Sequence, residues 1–206
     1  MMVGDQFADY GASSWLNRPI SEAVIAASPD VETGGCAHFY KDCTNGNIFI
    51  DDERQMKVKI ASFSSGGKDV FGIELVAGSW DDWINPITYA VSESMARKLG
   101  LEVGDVVKLQ ISSWRGIAME DAIIVAVYKD MPANTDCATF DMFCPVGNRS
   151  LNNWSEWGFH YFVKLREGAD PKAFEESSKP AMKDIWMRTN GVDPTSLSRS
   201  EEHTSD

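Results

Sequence analysis

Four cysteines carry most of the thiol chemistry open to this chain. They fall as Cys36/Cys43 and Cys137/Cys144, each spaced C-x6-C. Structural zinc sites use tighter C-x2–4-C knuckles, so the spacing points away from zinc and no metal site is expected. Both pairs are candidate disulfides in an oxidising compartment, while four buried thiols would suit a reducing one; spacing alone does not set the connectivity. The chain has three histidines, His38, His160 and His203. A nucleophilic cysteine needs a histidine in space. His38 is two residues from Cys36, so a strand sends both to one face with no further partner, and no catalytic residue is expected. Asp81-Asp82 and Asp51-Asp52-Glu53 supply oxygen ligands but lack the D-x-[DN]-x-[DN]-G calcium loop and read as solvated turns. The chain contains no G-x-S-x-G, H-E-x-x-H, Walker or G-x-G-x-x-G motif, and no cofactor is expected. Gly34-Gly35 and Gly66-Gly67 read as turn glycines. Seven tryptophans are an excess, and two pairs, Trp80/Trp83 and Trp154/Trp157, have i, i+3 spacing beside polar residues. Trp is enriched in interface hot spots, so these four are the candidate partner-binding residues.

The elements that position these residues follow from periodicity. A helix starts at Pro19, carries Ile20, Ala23, Val24 and Ala27 on one side, and stops before Pro29. A glycine-rich loop over 32–35 leads to a short strand over 37–41, and Asn45-Gly46 signals a hairpin turn into a strand over 47–50. Residues 56–63 alternate as a half-buried strand, and 70–76 forms another. A helix over 92–99 has Ser92 as N-cap, Glu93 in its first turn, Arg97 and Lys98 in its last, and Gly100 as its stop. Strands follow over 106–111, 122–128, 140–144 and 159–165. Asp170-Pro171 opens a last helix to about residue 188, with Phe174, Met182, Ile185 and Trp186 on one side and Pro180 expected to kink or split it. Strands mixed with few short helices make an α+β class.

Composition narrows the function. The chain has 206 residues, 19 Lys+Arg and 31 Asp+Glu, a net charge of −12 that disfavours nucleic acid and basic docking on anionic lipid. With 43% hydrophobic residues it can build a core. Its longest apolar run, 122–128, is far short of the roughly 18 to 20 residues that span a bilayer. The start lacks the basic and apolar regions of a signal peptide.

One stretch is more specific. The segment 71–80, Phe-Gly-Ile-Glu-Leu-Val-Ala-Gly-Ser-Trp, precedes 90–100, Ala-Val-Ser-Glu-Ser-Met-Ala-Arg-Lys-Leu-Gly, and then Val103-Gly104-Asp105. The strand 124–130, Ile-Val-Ala-Val-Tyr-Lys-Asp, follows, then Met131-Pro132 and 140–145. In this order and spacing the chain resembles the MacB-like periplasmic core domain of FtsX-like ABC transporter permeases. The strand over 159–164 and the Asp170-Pro171 helix resemble that domain's returning strand and helix, so the likeness covers most of 15–190. It departs at Ser79, where members often carry Arg, and at Ala126, where glycine is usual.

The resemblance implies a mixed-sheet base lobe near the membrane, from 1–75 and 147–190, and a smaller inserted α/β lobe over 76–146. Residues 191–206 read as a disordered tail. It also implies a non-enzymatic, extracytoplasmic domain of an inner-membrane permease, inserted between its first two transmembrane helices. An ATP-binding cassette subunit would act through those helices, and the permease would be a dimer. A periplasmic partner protein, or peptide or lipoprotein cargo, would be handled outside. The competing expectation is a stand-alone secreted module that binds glycan or protein through its Trp-rich loops.

Overall fold

The computed structural model describes residues 16–38, 45–49, 55–113, 116–154 and 157–189. Cys43, the acidic 51–53 run, His203 and the 191–206 tail lie outside these residues, as does the side chain of Trp157. The strands are β1 (Leu16–Asn17), β2 (Val31–His38), β3 (Asn45–Phe49), β4 (Gln55–Phe63), β5 (Leu75–Gly78), β6 (Thr88–Ser92), β7 (Val106–Ser113), β8 (Gly116–Tyr128), β9 (Met142–Pro145) and β10 (Trp157–Leu165). The helices are α1 (Arg18–Ala27), α2 (Ser65–Val70), α3 (Glu93–Leu99) and α4 (Pro171–Thr189). This is the expected mixed α/β class with a mixed sheet. Most neighbours are antiparallel, and β4–β9 and β6–β8 are parallel.

The pairings β3–β4–β9–β6–β8–β7–β3 close on themselves. A closed ring leaves each member strand a neighbour on either side and encloses one face. Its interior holds Ile48, Val58, Ile60, Tyr89, Val91, Leu109, Ala122, Ile124 and Met142, with Met95 and Ala96 of α3 packed against them. The inside/outside alternation of a pleated strand sends Ala61, Phe63, Ala90 and Phe143 outward, and a register shift between Ile124 and Ala126 of β8 turns Ala126 and Tyr128 to the same side. These residues build a second core with Ala37 of β2 and Phe162 of β10. The opposite face of β2 and β10 carries Cys36, Phe159, Tyr161 and Val163 against Ile20 and Val24 of α1 and Phe174 and Met182 of α4. The molecule is therefore a ring joined to a helix-backed layer. β3 and β4 fall in the 1–75 segment yet hydrogen-bond into the ring with β6–β9, so the 75/76 boundary does not separate the strands.

Several expectations change, each for a tertiary reason. Residues 32–35 are not a loop: β2 runs through them. Gly66-Gly67 are not in a turn but in α2, which takes part of the segment expected as a 70–76 strand; only β5 remains extended there. Asn45-Gly46 lies within β3, where a Cβ on Gly46 would stand 2.9 Å from Ile60 Cδ1, so the glycine serves the ring's interior. α4 continues as one helix through Pro180.

The remaining helices follow local rules. Ser92 Oγ accepts from Met95 N at 3.3 Å, and Gly100 ends α3 at φ +68°, a conformation costly for any residue with a Cβ. Asp170 Oδ1 accepts from Lys172 N at 2.9 Å at the start of α4. No helix among the described residues is long and apolar enough to cross a membrane.

Candidate functional site

Trp80 and Trp83 sit on a 3-10 turn, Trp80–Asp82, whose N-cap Ser79 accepts from Asp81 N. Their rings meet edge to face at 5.2 Å. Trp83 is only 5% exposed and donates from Nε1 to Phe143 O at 3.3 Å, so it anchors the turn onto the second core. Trp80 is half-buried, with Lys68 Nζ 5.2 Å from its ring centroid. The apolar side of β9 and β8 thus holds the Trp83 indole. Trp154 differs, at 39% exposed, and its carbonyl accepts from Asn17 Nδ2. It lies beside β1 and the layer, whereas Trp80 and Trp83 pack on the second core.

The cysteines lie in different compartments. Cys36 is buried under α1; its N donates to Ser64 Oγ at 2.9 Å, and burial pushes its thiol up. Cys137 packs in the second core beside Phe143, while Cys144, two positions from Met142 on β9, faces the ring interior. Cys137 and Cys144 therefore stand on opposite faces of one sheet. Cys144 Sγ is 3.2 Å from Ser62 Oγ, and burial raises its thiol to about 11. A thiol held neutral is a poor nucleophile. Nearby, Tyr89 donates to Glu120 Oε1 at 2.5 Å, and burial moves the phenol far upward. No group of three His, Cys, Asp or Glu among the described residues could hold a metal.

Two features escaped the sequence. The double glycines meet: a Cβ on Gly35 would stand 2.8 Å from Gly66 C, and one on Gly66 would stand 2.9 Å from Gly34 C. Ser64 joins them, its N donating to Cys36 O at 2.9 Å and its Oγ accepting from Cys36 N and Gly67 N. The paired G-G signals were visible, but not that they face each other. The second is the β7–β8 ribbon, whose outer face exposes Val106 (60%), Ile117 (70%) and Met119 (53%). Residues 116–121 were not read as strand, because the alternation is masked by small and acidic neighbours.

Buried thiols and phenols, a buried Trp83 and an exposed apolar ribbon thus sit on a mixed α/β fold whose central sheet closes into a ring. The sequence model for the MacB-like periplasmic core domain matches residues 9–181, and the chain belongs to that family. It is thus an extracytoplasmic domain of the ABC-type transporter permease class. Solved structures agree. A domain of a protein described as a permease, from Porphyromonas gingivalis, is 26% identical with TM-score 0.65, covering 84% of this chain and 72% of that one. The extracellular domain of the noncanonic ABC-type transporter YknZ from Gram-positive bacteria is 12% identical with TM-score 0.56, covering 87% of each chain. The periplasmic region of MacB from Actinobacillus actinomycetemcomitans is 15% identical with TM-score 0.56, covering 98% of this chain and 91% of that one. No curated protein shows significant sequence similarity to the chain.

Proposed function

We propose that this domain couples ATP hydrolysis on a separate cytoplasmic cassette subunit to the handling of a partner protein, or of peptide or lipoprotein cargo, outside the inner membrane. The permease would be dimeric, with the domain joined to it through transmembrane helices. The observation that carries the reading is that both ends of the described chain belong to one body. β1 pairs with β10, and α1 packs with α4 on the same core. Two connections leaving one layer suit a domain whose base follows a pair of membrane helices, with the ring as the lobe held away from them. Such coupling requires that the partner bind two states of the domain with different affinity. Trp154, exposed on the layer, is the contact proposed for a partner.

The test replaces residues 16–189 in the full permease, assembled with its cassette subunit in nanodiscs, by a short Gly/Ser linker. Basal ATP hydrolysis is expected to persist while transport, or activation of the external partner, is lost. Undiminished transport by the linker version would reject the reading.

A further inference from the structure

Cys137 lies on a 3-10 turn, Asp136–Thr139, and Cys144 follows on β9 with the short C-x6-C spacing. The fold sends their side chains apart. Cys137 is wholly buried in the second core with Tyr128 and Phe143. Phe143 and Cys144 are consecutive residues of an extended strand, so Cys144 takes the other face. There, inside the ring, its Sγ is 3.2 Å from Ser62 Oγ, with Tyr89 and Glu120 close by. A disulfide needs its two Cβ atoms about 3.5–4.5 Å apart on one side of the backbone. With β9 between them, these sulfurs cannot meet while the strand stays paired to β4 and β6.

The unfolded chain has no such barrier. Short loops close at less entropic cost, which favours the Cys137–Cys144 bond over a Cys36–Cys137 bond by about fiftyfold. A thiolate that attacks a disulfide oxidant such as glutathione disulfide forms a mixed disulfide, and the second cysteine then closes the bond. The two cysteines give up two protons and two electrons, and glutathione disulfide leaves as two glutathione thiols. The closed loop ties both sulfurs to one side of the backbone, so β9 cannot dock. Met142 and Phe143, each at 0% exposure, then leave both cores open, and the ring loses its β4–β9 and β6–β9 ladders. In the folded chain the reaction is blocked at its first step as well. Cys137 is out of an oxidant's reach, and burial holds Cys144 neutral, whereas the thiolate is the attacking form.

We propose that the Cys137–Cys144 disulfide is a non-native trap, so that in the oxidising extracytoplasmic compartment β9 must dock before these two thiols are oxidised. Folding and oxidation then compete for the same segment, and the finished fold protects it. The inference needs only the compartment and stands apart from the coupling reading.

Refolding of the 206-residue chain from urea tests it. With dithiothreitol present, native tryptophan fluorescence is expected to return in full. With glutathione disulfide present, recovery is expected to fall severalfold and to be restored when dithiothreitol is added afterwards. Peptide mapping after thiol blocking with N-ethylmaleimide is expected to find Cys137 joined to Cys144 in the misfolded fraction. Folded chain held in the same oxidant is expected to lack that bond. Cys144→Ser keeps a hydroxyl beside Ser62 and is expected to refold under oxidant severalfold better than the parent. The peptide map is read on the parent, so it decides whether or not the variant folds. A Cys137–Cys144 bond in the folded protein overturns the proposal. So does full recovery in the presence of oxidant, or a misfolded fraction without that bond.

Discussion

Replacing Gly66 by alanine separates local from tertiary control of this fold. Gly66 lies in α2, and by helix propensity alone the change gains about 1 kcal/mol. The structure demands the opposite outcome. The new Cβ would stand 2.9 Å from Gly34 C and closer still to Gly34 O, both backbone atoms that cannot swing aside. Restoring ordinary carbon contact moves α2 from β2 by about 1 Å. That displacement stretches the two bonds that Ser64 makes across the joint, Ser64 N to Cys36 O at 2.9 Å and Cys36 N to Ser64 Oγ at 2.9 Å. At roughly 1 kcal/mol each, their loss outweighs the propensity gain and leaves a net cost of about 1 kcal/mol. Urea unfolding followed by tryptophan fluorescence measures it, with a fall in Tm of about 2–4 °C as the thermal counterpart. Gly147→Ala is the control, because a Cβ there meets nothing nearer than Pro86 Cγ at 3.5 Å and its φ is −61°. A Gly66→Ala protein as stable as the control, or more stable than the parent, would refute the close-approach reasoning.

Trp83→Ala empties the second core and removes the Nε1 bond to Phe143, costing about 3–5 kcal/mol by urea titration, whereas Trp154→Ala at an exposed position stays within about 0.5 kcal/mol. Gly100→Ala forces a side chain into the left-handed region at φ +68° and costs about 1–2 kcal/mol, with Gly100→Asn less harmful. Cys144, with its thiol raised from 9.0 to about 11, reacts with iodoacetamide at pH 8 about a hundredfold more slowly than an ordinary thiol, by mass spectrometry of the alkylated site. The same shift has a stability sign. The folded state holds Cys144 neutral, so its contribution is intact below pH 9 and is lost as pH rises toward 11. Tyr89, Tyr128 and Tyr161, all raised by burial, extend the loss further into alkali. Unfolding free energy that stayed level from pH 8.5 to 11 would contradict this.

What could be read from sequence was whatever neighbouring residues decide among themselves. Ser92, Glu93, Arg97 and Gly100 carry the start, dipole complement and stop of α3 within nine positions, and the structure keeps each role. Asp170 before Pro171 works the same way for α4. The alternation over 56–63 survives in β4 because Met56, Val58 and Ile60 face the ring interior while Lys57 and Lys59 face solvent, and only from Ala61 onward are both faces covered. The misreadings cluster where one residue type serves two purposes. Gly34-Gly35 and Gly66-Gly67 look like turns from their neighbours, yet their partners are about thirty residues away. Asn45-Gly46 has the chemistry of a hairpin turn, but Ile60 and Leu109 fill the space that a side chain at 46 would need. The i, i+3 spacing of Trp80 and Trp83 beside acidic residues does not tell packing from partner contact, and only the fold shows the Trp83 ring bonded to Phe143 inside the second core. Family kinship was legible because it rests on order and spacing across 71–130, which no single misassigned element disturbs.

β4 also determines how stiff the molecule is. Its first half is laced to β3, its second half to β9, and its last two residues to Ala37 and His38 of β2, after which Ser64 turns the chain into α2. Among the described residues the backbone ladder between layer and ring is two residue pairs wide, and the shared second core and the α2 joint clamp the two beside it. Any load carried by backbone hydrogen bonds between layer and ring therefore passes through the last two residues of β4.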